Sequence, residues 1–440
     1  MAHGQMYLAN SIVMKNIVER GEESSNTNTV NLINEKTNNY KIFFSNTKEY
    51  LETFNSLIHE FMNKKQVKEQ TSKQCLLHDS TRSHNKKFVL CLQLLMKKRL
   101  PYMQIGSEIK FQYLNDNPCD LVGKIINIPQ KNIIDVELDQ PLEVEKGSKL
   151  IILRPWNNRI YVQMFTALTR FAEKMDCMSH DLRSILLGHY IRSSLYNHEI
   201  LEDCQAPGLP IPNYLQKIAI KNAIRETLSL IQGPSLTGKT TLCAIIAYHL
   251  SKFGSVLLCA PTKKAVDYLT DIVAKSGVRV VRMGTLKMAG CKSSDLLLSN
   301  KIKELNGHSE FKKLQMIKEK LNKLNEQDEI TYKRLKKLAE VECLKFSQVV
   351  CTTCDFAGDS RLAEFKFRAV IIDRSTQTNE PNCLIPMITG AEQVVLTGDN
   401  IKKRSLSTRR QNEFNRSLFE RLLELGVPLM RLKIRYFKNS

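Results

Sequence analysis

Residues 233–240, with the sequence GPSLTGKT, restrict the possible folds more than any other feature of the chain. They fit the pattern G-x-x-x-x-G-K-[ST], in which a glycine-rich turn surrounds phosphate groups with backbone N–H donors. Residues 227–232 (TLSLIQ) predict a short buried strand before the loop, and residues 241–250 (TLCAIIAYHL) predict an apolar helix after it. Both flanks favour a phosphate-binding loop over a chance match at an ordinary strand-to-helix turn.

The side chains of this loop predict ATP and Mg²⁺ as cofactors. Lys239 would reach the β- and γ-phosphates of the nucleotide, and the Thr240 hydroxyl would ligate Mg²⁺. Leu236 stands where many such loops have glycine, so the backbone there is less free to wrap a phosphate group.

A second apolar run, residues 369–372 (AVII), ends in Asp373. A buried strand of this kind delivers a carboxylate to Mg²⁺ at the carboxyl edge of a parallel sheet, so Thr240 and Asp373 are the predicted metal ligands. An ATPase normally has glutamate next, to orient the attacking water, but this chain has Arg374. An arginine cannot accept a proton at accessible pH, so the position of the general base is predicted to be inactive.

Gln216 precedes the loop and can contact an adenine edge through its amide. The alternative is a capping box, with Asn213 as N-cap and Gln216 three residues later, and the two interpretations are compatible. Residues 394–399 (VVLTGD) form another apolar run that ends in Gly-Asp. In P-loop motors such a segment senses the γ-phosphate, and the alternative is a simple turn. The predicted nucleotide-binding residues are Gln216, Gly233, Ser235, Leu236, Thr237, Gly238, Lys239, Thr240, Thr241 and Asp373.

The charge of the chain indicates a polyanionic partner. It has 65 basic and 45 acidic side chains, a net charge of +20 and a pI near 9.4. Beside an ATP site, this favours single-stranded RNA, with DNA as an alternative, over a membrane surface or a merely basic exterior. No apolar run is long enough to span a bilayer, and residues 1–8 have no apolar signal segment. The predicted nucleic-acid contacts follow two strands and could instead be helix caps: Pro261, Thr262, Lys263, Lys264 and Thr353.

The 12 cysteines show no framework spacing, which is typical of free thiols in a reducing cytosol. Cys351 and Cys354 form a lone C-x-x-C without a second pair nearby, so the spacing does not support a zinc site.

Together these segments resemble the family of the up-frameshift RNA helicase, regulator of nonsense transcripts 1, within superfamily 1. The resemblance covers residues 30–440 and is carried by the strings LSLIQGP (228–234), CAPTKKAVDYL (259–269), GDSRLA (358–363), FRAVIIDRSTQTNEP (367–381) and SLFERL (417–422). It implies an α/β fold: a P-loop RecA-like parallel sheet with helices on both faces, a small antiparallel β-barrel insertion and a helical stalk.

The expected organisation combines this resemblance with the periodicity of each segment. A disordered tail (1–30) precedes the N-terminal part of the stalk (31–98), the barrel (99–155) and further stalk helices (156–206). The first RecA-like domain (207–440) contains a helical insertion at 284–346, and a second RecA-like domain is expected to be absent.

The departures from the family decide the functional expectation. Ser235 and Leu236 replace Pro-Gly, Arg374 replaces the glutamate, and Lys402 stands at the γ-phosphate-sensing glutamine. We therefore expect a cytoplasmic, monomeric helicase relative that binds ATP and RNA weakly, with hydrolysis and unwinding impaired or lost. One alternative is an active RNA helicase represented by a truncated sequence. Another is a non-catalytic module that binds mRNA decay and surveillance factors.

Overall fold

The structure is a computed structural model that describes residues 41–69, 73–82, 88–95, 105–113, 122–130, 132–138, 140, 147–153, 158–189, 203–285, 294–305, 309–321, 324–399 and 413–435. The chain forms two compact units, one from Ile58 to Arg159 and the other from the rest of the described residues. The predicted disordered tail, residues 1–30, lies outside the described part.

The regular elements follow in chain order. The α-helices are α1 (Thr47–Glu69), α2 (Arg159–Glu173), α3 (His180–Leu187), α4 (Tyr214–Arg225), α5 (Lys239–Leu250), α6 (Lys263–Ala274), α7 (Leu298–Glu304), α8 (Ser309–Leu321), α9 (Glu326–Phe346), α10 (Glu380–Met387) and α11 (Leu418–Glu424). The strands are β1 (Lys73–Arg82), β2 (Phe88–Leu94), β3 (Glu108–Tyr113), β4 (Val122–Gln130), β5 (Ile133–Leu138), β6 (Lys149–Leu153), β7 (Leu228–Gln232), β8 (Val256–Ala260), β9 (Val280–Arg282), β10 (Val349–Thr353), β11 (Ala369–Ile372), β12 (Gln393–Gly398) and β13 (Leu429–Arg431).

A seven-stranded parallel sheet with flanking helices forms the larger unit, as the sequence predicts. Its strand order is β13-β7-β12-β11-β8-β10-β9. The strands β7, β8, β10, β11 and β12 are buried throughout, because helices cover a sheet of this type. All carboxyl ends lie at one edge, so the loops after β7, β8, β10, β11 and β12 meet there.

Helix α5 packs in the centre of this unit. It is apolar on every side, with nine buried residues that include Leu242, Ile246 and Leu250. A helix that is apolar all round is stable only when its neighbours enclose it. Burying an aliphatic side chain of this size contributes roughly 1.5–3 kcal/mol, so the helix behind the phosphate-binding loop is firmly held.

The smaller unit contains a closed antiparallel barrel with the strand order β1-β2-β5-β4-β3-β6. Residues Leu90, Leu92 and Leu94 of β2 are buried in it, alternating with half-buried ones. The barrel therefore begins at Lys73, and the predicted start at residue 99 is wrong. The helical stalk assigned to 31–98 ends with α1 at Glu69, because β1 pairs with both β2 and the distant β6 and so closes the barrel.

Between β9 and β10 the chain forms helices α7, α8 and α9, which lie within the range predicted for a helical insertion, residues 284–346. Phe311 of α8 stacks on Tyr332 of α9, with ring centroids 5.5 Å apart. Nowhere in the described ranges does a helix combine the length and the apolar character needed to cross a bilayer.

Candidate nucleotide and nucleic-acid site

The loop between β7 and α5 has the wrapped conformation of a phosphate-binding turn. Gly238, the N-cap of α5, has φ 77° and ψ 21°, which glycine adopts without strain. A Cβ at Gly233 would lie 2.6 Å from Thr237 Oγ1, so only glycine allows the loop to close here. A glycine turn that leads into a helix start fits a phosphate group, because the first backbone N–H groups of a helix have no partner within the helix.

Leu236 adopts φ 68° within this loop, and its side chain is exposed. The sequence predicts that leucine would hinder the wrapping of this loop. The backbone nevertheless occupies the left-handed region, at a cost of roughly 1–2 kcal/mol relative to glycine. The conformation is therefore retained and the strain is stored in the loop.

Lys239 is buried and bound within the protein. Its Nζ donates to the carbonyl oxygens of Gly233 (2.7 Å) and Pro234 (2.8 Å), and it lies 2.9 Å from Asp399 Oδ1. Asp399 follows β12 and is also reached by the amide of Gln377 at 3.2 Å. The amine that would bind phosphate is thus hydrogen-bonded within the loop and paired with the carboxylate of Asp399, which follows the adjacent strand β12.

Thr240 and Asp373, the predicted metal ligands, are in direct contact. The Thr240 hydroxyl donates to Asp373 Oδ2 at 2.9 Å. Asp373 is buried, and its other oxygen accepts from Thr397 Oγ1 at 2.7 Å. A hydroxyl and a carboxylate are hard oxygen donors of the type that Mg²⁺ prefers, so the pair fits the cation.

Arg374 follows Asp373 in the left-handed conformation, with φ 58° and ψ 35°. Its backbone N–H donates to Asp373 Oδ1 at 3.0 Å, and its Nε lies 4.0 Å from Asp373 Oδ2. Its side chain is 41% exposed. The residue at the expected position of the general base therefore adds a permanent positive charge beside the hydroxyl–carboxylate pair.

Gln216 forms the predicted capping box with Asn213 at the start of α4. Its Nε2 also donates to the Thr237 carbonyl at 3.1 Å, so α4 is tied to the phosphate-binding loop. A contact from Gln216 to an adenine edge remains a prediction. Of the other predicted nucleotide contacts, Ser235 is exposed and Thr241 is half-buried.

The five predicted nucleic-acid residues lie at the carboxyl edge of two paired strands. Thr353 is paired with Ala260 across β10 and β8, immediately before Pro261. Thr262 caps α6 by accepting from the Ala265 N–H, as the alternative interpretation predicted. Lys263 and Lys264 are exposed on the first turn of α6, and Lys263 Nζ donates to Thr285 Oγ1.

Sequence reasoning did not identify Thr397 as a partner of Asp373 or Asp399 as a partner of Lys239. The available signal was a polar residue at each of these positions, at the end of the otherwise apolar strand β12. Lys402 was predicted to replace the γ-phosphate sensor, and it lies outside the described residues.

The thiols near the site are buried and protonated. Burial raises the pKa of Cys243 well above its ordinary value, and the neighbouring charge of Asp373 raises it further. Burial also raises the pKa of Cys351, in the C-x-x-C segment, to about 12. A nucleophile or metal ligand needs the thiolate, so these residues act as small apolar groups.

Comparison with known proteins shows which proteins the chain resembles. A family model described as an AAA domain matches residues 212–337 and 303–401. The "Regulator of nonsense transcripts 1 homolog" of Drosophila melanogaster is 35% identical over 371 residues, which cover 80% of this chain and 31% of the relative. The "ATP-dependent helicase upf1" of Schizosaccharomyces pombe is 35% identical over 353 residues, or 76% of this chain and 38% of the relative.

The "ATP-dependent helicase NAM7" of Saccharomyces cerevisiae is 36% identical over 291 residues, which cover 64% of this chain and 30% of the relative. The chain thus spans about a third of the length of these relatives. Taken together, the parallel sheet, the phosphate-binding loop and these similarities show that the chain resembles the regulator of nonsense transcripts 1, a superfamily 1 helicase.

Proposed function

We propose that this chain is a nucleotide- and RNA-binding helicase relative in which ATP hydrolysis and RNA unwinding are impaired or lost. The observation that carries the proposal is a phosphate-binding loop with its Thr240–Asp373 pair formed, followed at once by Arg374. The loop can bind phosphate, whereas the adjacent residue has no acceptor for the proton of water.

Nucleotide binding rests on Lys239, Thr240 and Asp373. Lys239 contributes charge and donors to the phosphates, and Thr240 and Asp373 would hold Mg²⁺. The cation, when bound, neutralises phosphate charge. The contact between Lys239 and Asp399 competes with phosphate for the amine, so affinity is modest.

RNA binding rests on the net charge of +20 and on the exposed Lys263 and Lys264 at the carboxyl edge of the sheet. Lysines at this edge bind backbone phosphates without reading bases, so sequence preference is weak. The names of the relatives refer to nonsense transcripts. By extension we propose a cytoplasmic, monomeric protein that contacts mRNA decay factors.

Replacing Lys239 with alanine tests nucleotide binding. The substitution removes a charge-assisted phosphate contact worth roughly 1.5–3 kcal/mol, so we expect affinity for a fluorescent ATP analogue to fall at least about tenfold. Lys252→Ala is the matched control, because Lys252 is exposed beyond the far end of α5, roughly 20 Å away along the helix. Equal titration curves for Lys239→Ala and the parent chain would disprove the phosphate-binding loop.

Salt dependence tests RNA binding. We expect fluorescence anisotropy with a single-stranded oligonucleotide to show weak binding that falls steeply as salt rises, because neutralised phosphates release counterions. The double variant Lys263→Ala/Lys264→Ala should reduce the slope of log affinity against log salt by about 1–1.5.

Lys312→Ala/Lys313→Ala on α8 removes the same charge from a helix that we interpret as a solvated face. It should leave the slope nearly unchanged. An affinity that does not depend on salt, or no affinity at low salt, would exclude the nucleic-acid partner. Equal slopes for the two double variants would place the contact elsewhere.

A further inference from the structure

A guanidinium stands beside the oxygen atoms predicted to hold Mg²⁺. Arg374 Nε lies 4.0 Å from Asp373 Oδ2, the same oxygen that accepts the Thr240 hydroxyl at 2.9 Å. One carboxylate therefore faces both the hydroxyl of the loop and a fixed positive charge. Because Thr240 belongs to the loop, a phosphate group bound there would lie near this cluster.

The backbone fixes the position of this arginine. Arg374 has φ 58°, and its N–H donates to Asp373 Oδ1 at 3.0 Å. The next residue, Ser375, is fully buried and donates through its hydroxyl to the Thr397 carbonyl at 2.9 Å. The Cα of Arg374 is thus anchored on two sides, while its 41% exposed side chain remains accessible to a ligand at the edge of the sheet.

Two electrostatic consequences follow from this arrangement. A cation next to Asp373 weakens the attraction of that carboxylate for a divalent metal ion. The same guanidinium is itself a strong phosphate ligand, because its planar set of donors can form two parallel bonds to phosphate oxygens. The main role of Mg²⁺ in binding is to neutralise phosphate charge, and a nearby arginine can perform that role.

We propose that Arg374 is a phosphate-binding residue that makes the binding of nucleoside di- and triphosphates at this site largely independent of Mg²⁺. The proposal rests on the nucleotide-binding function proposed above and identifies its determinant. It explains why the chain has arginine instead of the proton acceptor at position 374 and still keeps the loop and the Thr240–Asp373 pair. Arg374 then serves retention of the nucleotide rather than its cleavage.

The test is the dissociation constant of a fluorescent ATP analogue, measured on the full chain with excess Mg²⁺ and again with excess EDTA. For the parent chain we expect the two constants to differ by less than about threefold. Arg374→Gln removes the charge and keeps the length, and it should weaken binding in EDTA by about tenfold or more. Its affinity should recover in Mg²⁺, because the cation then finds an uncompensated Asp373.

Arg225→Gln is the matched control. Arg225 is exposed in the last turn of α4, at the opposite edge of the sheet from the loop. Its variant should behave like the parent chain in both buffers. Circular dichroism and thermal melts verify that each variant is folded.

The possible outcomes separate the two proposals. If EDTA weakens binding to the parent chain and to Arg374→Gln by the same large factor, Arg374 does not replace the cation and the inference is overturned, while nucleotide binding stands. If the parent chain binds no nucleotide in either buffer, the proposed function and this inference both fail. A selective loss for Arg374→Gln in EDTA supports the inference.

Discussion

RNA should not stimulate phosphate release by the purified 440-residue chain, and turnover of ATP should remain near background. Hydrolysis requires an acceptor that orients water against the γ-phosphate. Arg374 stands at that position, and its guanidinium stays protonated at every accessible pH. Loss of one such group typically removes several kcal/mol of transition-state stabilisation, on the order of a thousandfold in rate.

A phosphate-release assay with saturating Mg-ATP, with and without single-stranded RNA, checks this expectation. Nucleotide binding by the same preparation is the necessary control, since an unfolded chain would also be inactive. Lys239→Ala identifies contamination, because phosphate release from another ATPase would not respond to this substitution. Phosphate release that RNA stimulates and Lys239→Ala abolishes would show an active ATPase and favour the alternative of a working helicase.

The parallel sheet was predictable from sequence because its strands are short apolar runs separated by helical periodicity. The three apolar runs at residues 227–232, 369–372 and 394–399 agree with β7, β11 and β12 within one residue at each end. Strand β13 was missed. It has three residues, and only its pairing with β7 makes it a strand.

The barrel was only partly predictable. The range predicted for the barrel, residues 99–155, contains β3 to β6, whereas β1 and β2 lie in the range assigned to the stalk. The composition of β2 is compatible with a stalk helix or a barrel strand, and its pairing with β5 makes it a strand of the barrel. Local sequence patterns therefore predict a barrel, whereas its N-terminal boundary depends on pairing between strands that are distant in the sequence.

The phosphate-binding loop and the Thr240–Asp373 contact follow from the topology, since β7 and β11 end at the same edge of the sheet. The left-handed conformation of Arg374 and the pairing of Lys239 with Asp399 do not follow from any local pattern. Both depend on how neighbouring loops pack, which spacing along the chain does not encode.

A buried ion pair is another feature that sequence could not reveal. Glu380 at the start of α10 and Arg421 of α11 are almost fully buried, with Arg421 Nη2 2.6 Å from Glu380 Oε1. The Tyr50 hydroxyl donates to the same oxygen at 2.7 Å. Burial raises the pKa of Tyr50 well above its ordinary value, and the charge of Glu380 raises it further, so the phenol remains a donor.

Arg421 also joins distant segments of the larger unit. Its guanidinium donates to the carbonyl oxygens of Ile42 (2.9 Å) and Leu186 (2.7 Å), and it lies over the ring of Phe44 at 5.3 Å. One cation therefore connects four segments: the residues before α1, the end of α3, and the helices α10 and α11. That cation is tolerated inside the protein only because Glu380 compensates its charge.

We expect Glu380→Gln to lower the free energy of unfolding by about 3–5 kcal/mol, because it preserves shape but leaves the Arg421 charge buried without a counter-ion. Glu304→Gln is the matched control: Glu304 is 60% exposed and 2.8 Å from Lys301, so its substitution should cost less than about 1 kcal/mol. Denaturant titration gives both values. Hydrogen exchange should also quicken at residues 42–50 in Glu380→Gln alone, since Arg421 holds the Ile42 carbonyl. Equal, small destabilisation by both substitutions would mean that the buried pair contributes no more than an exposed one.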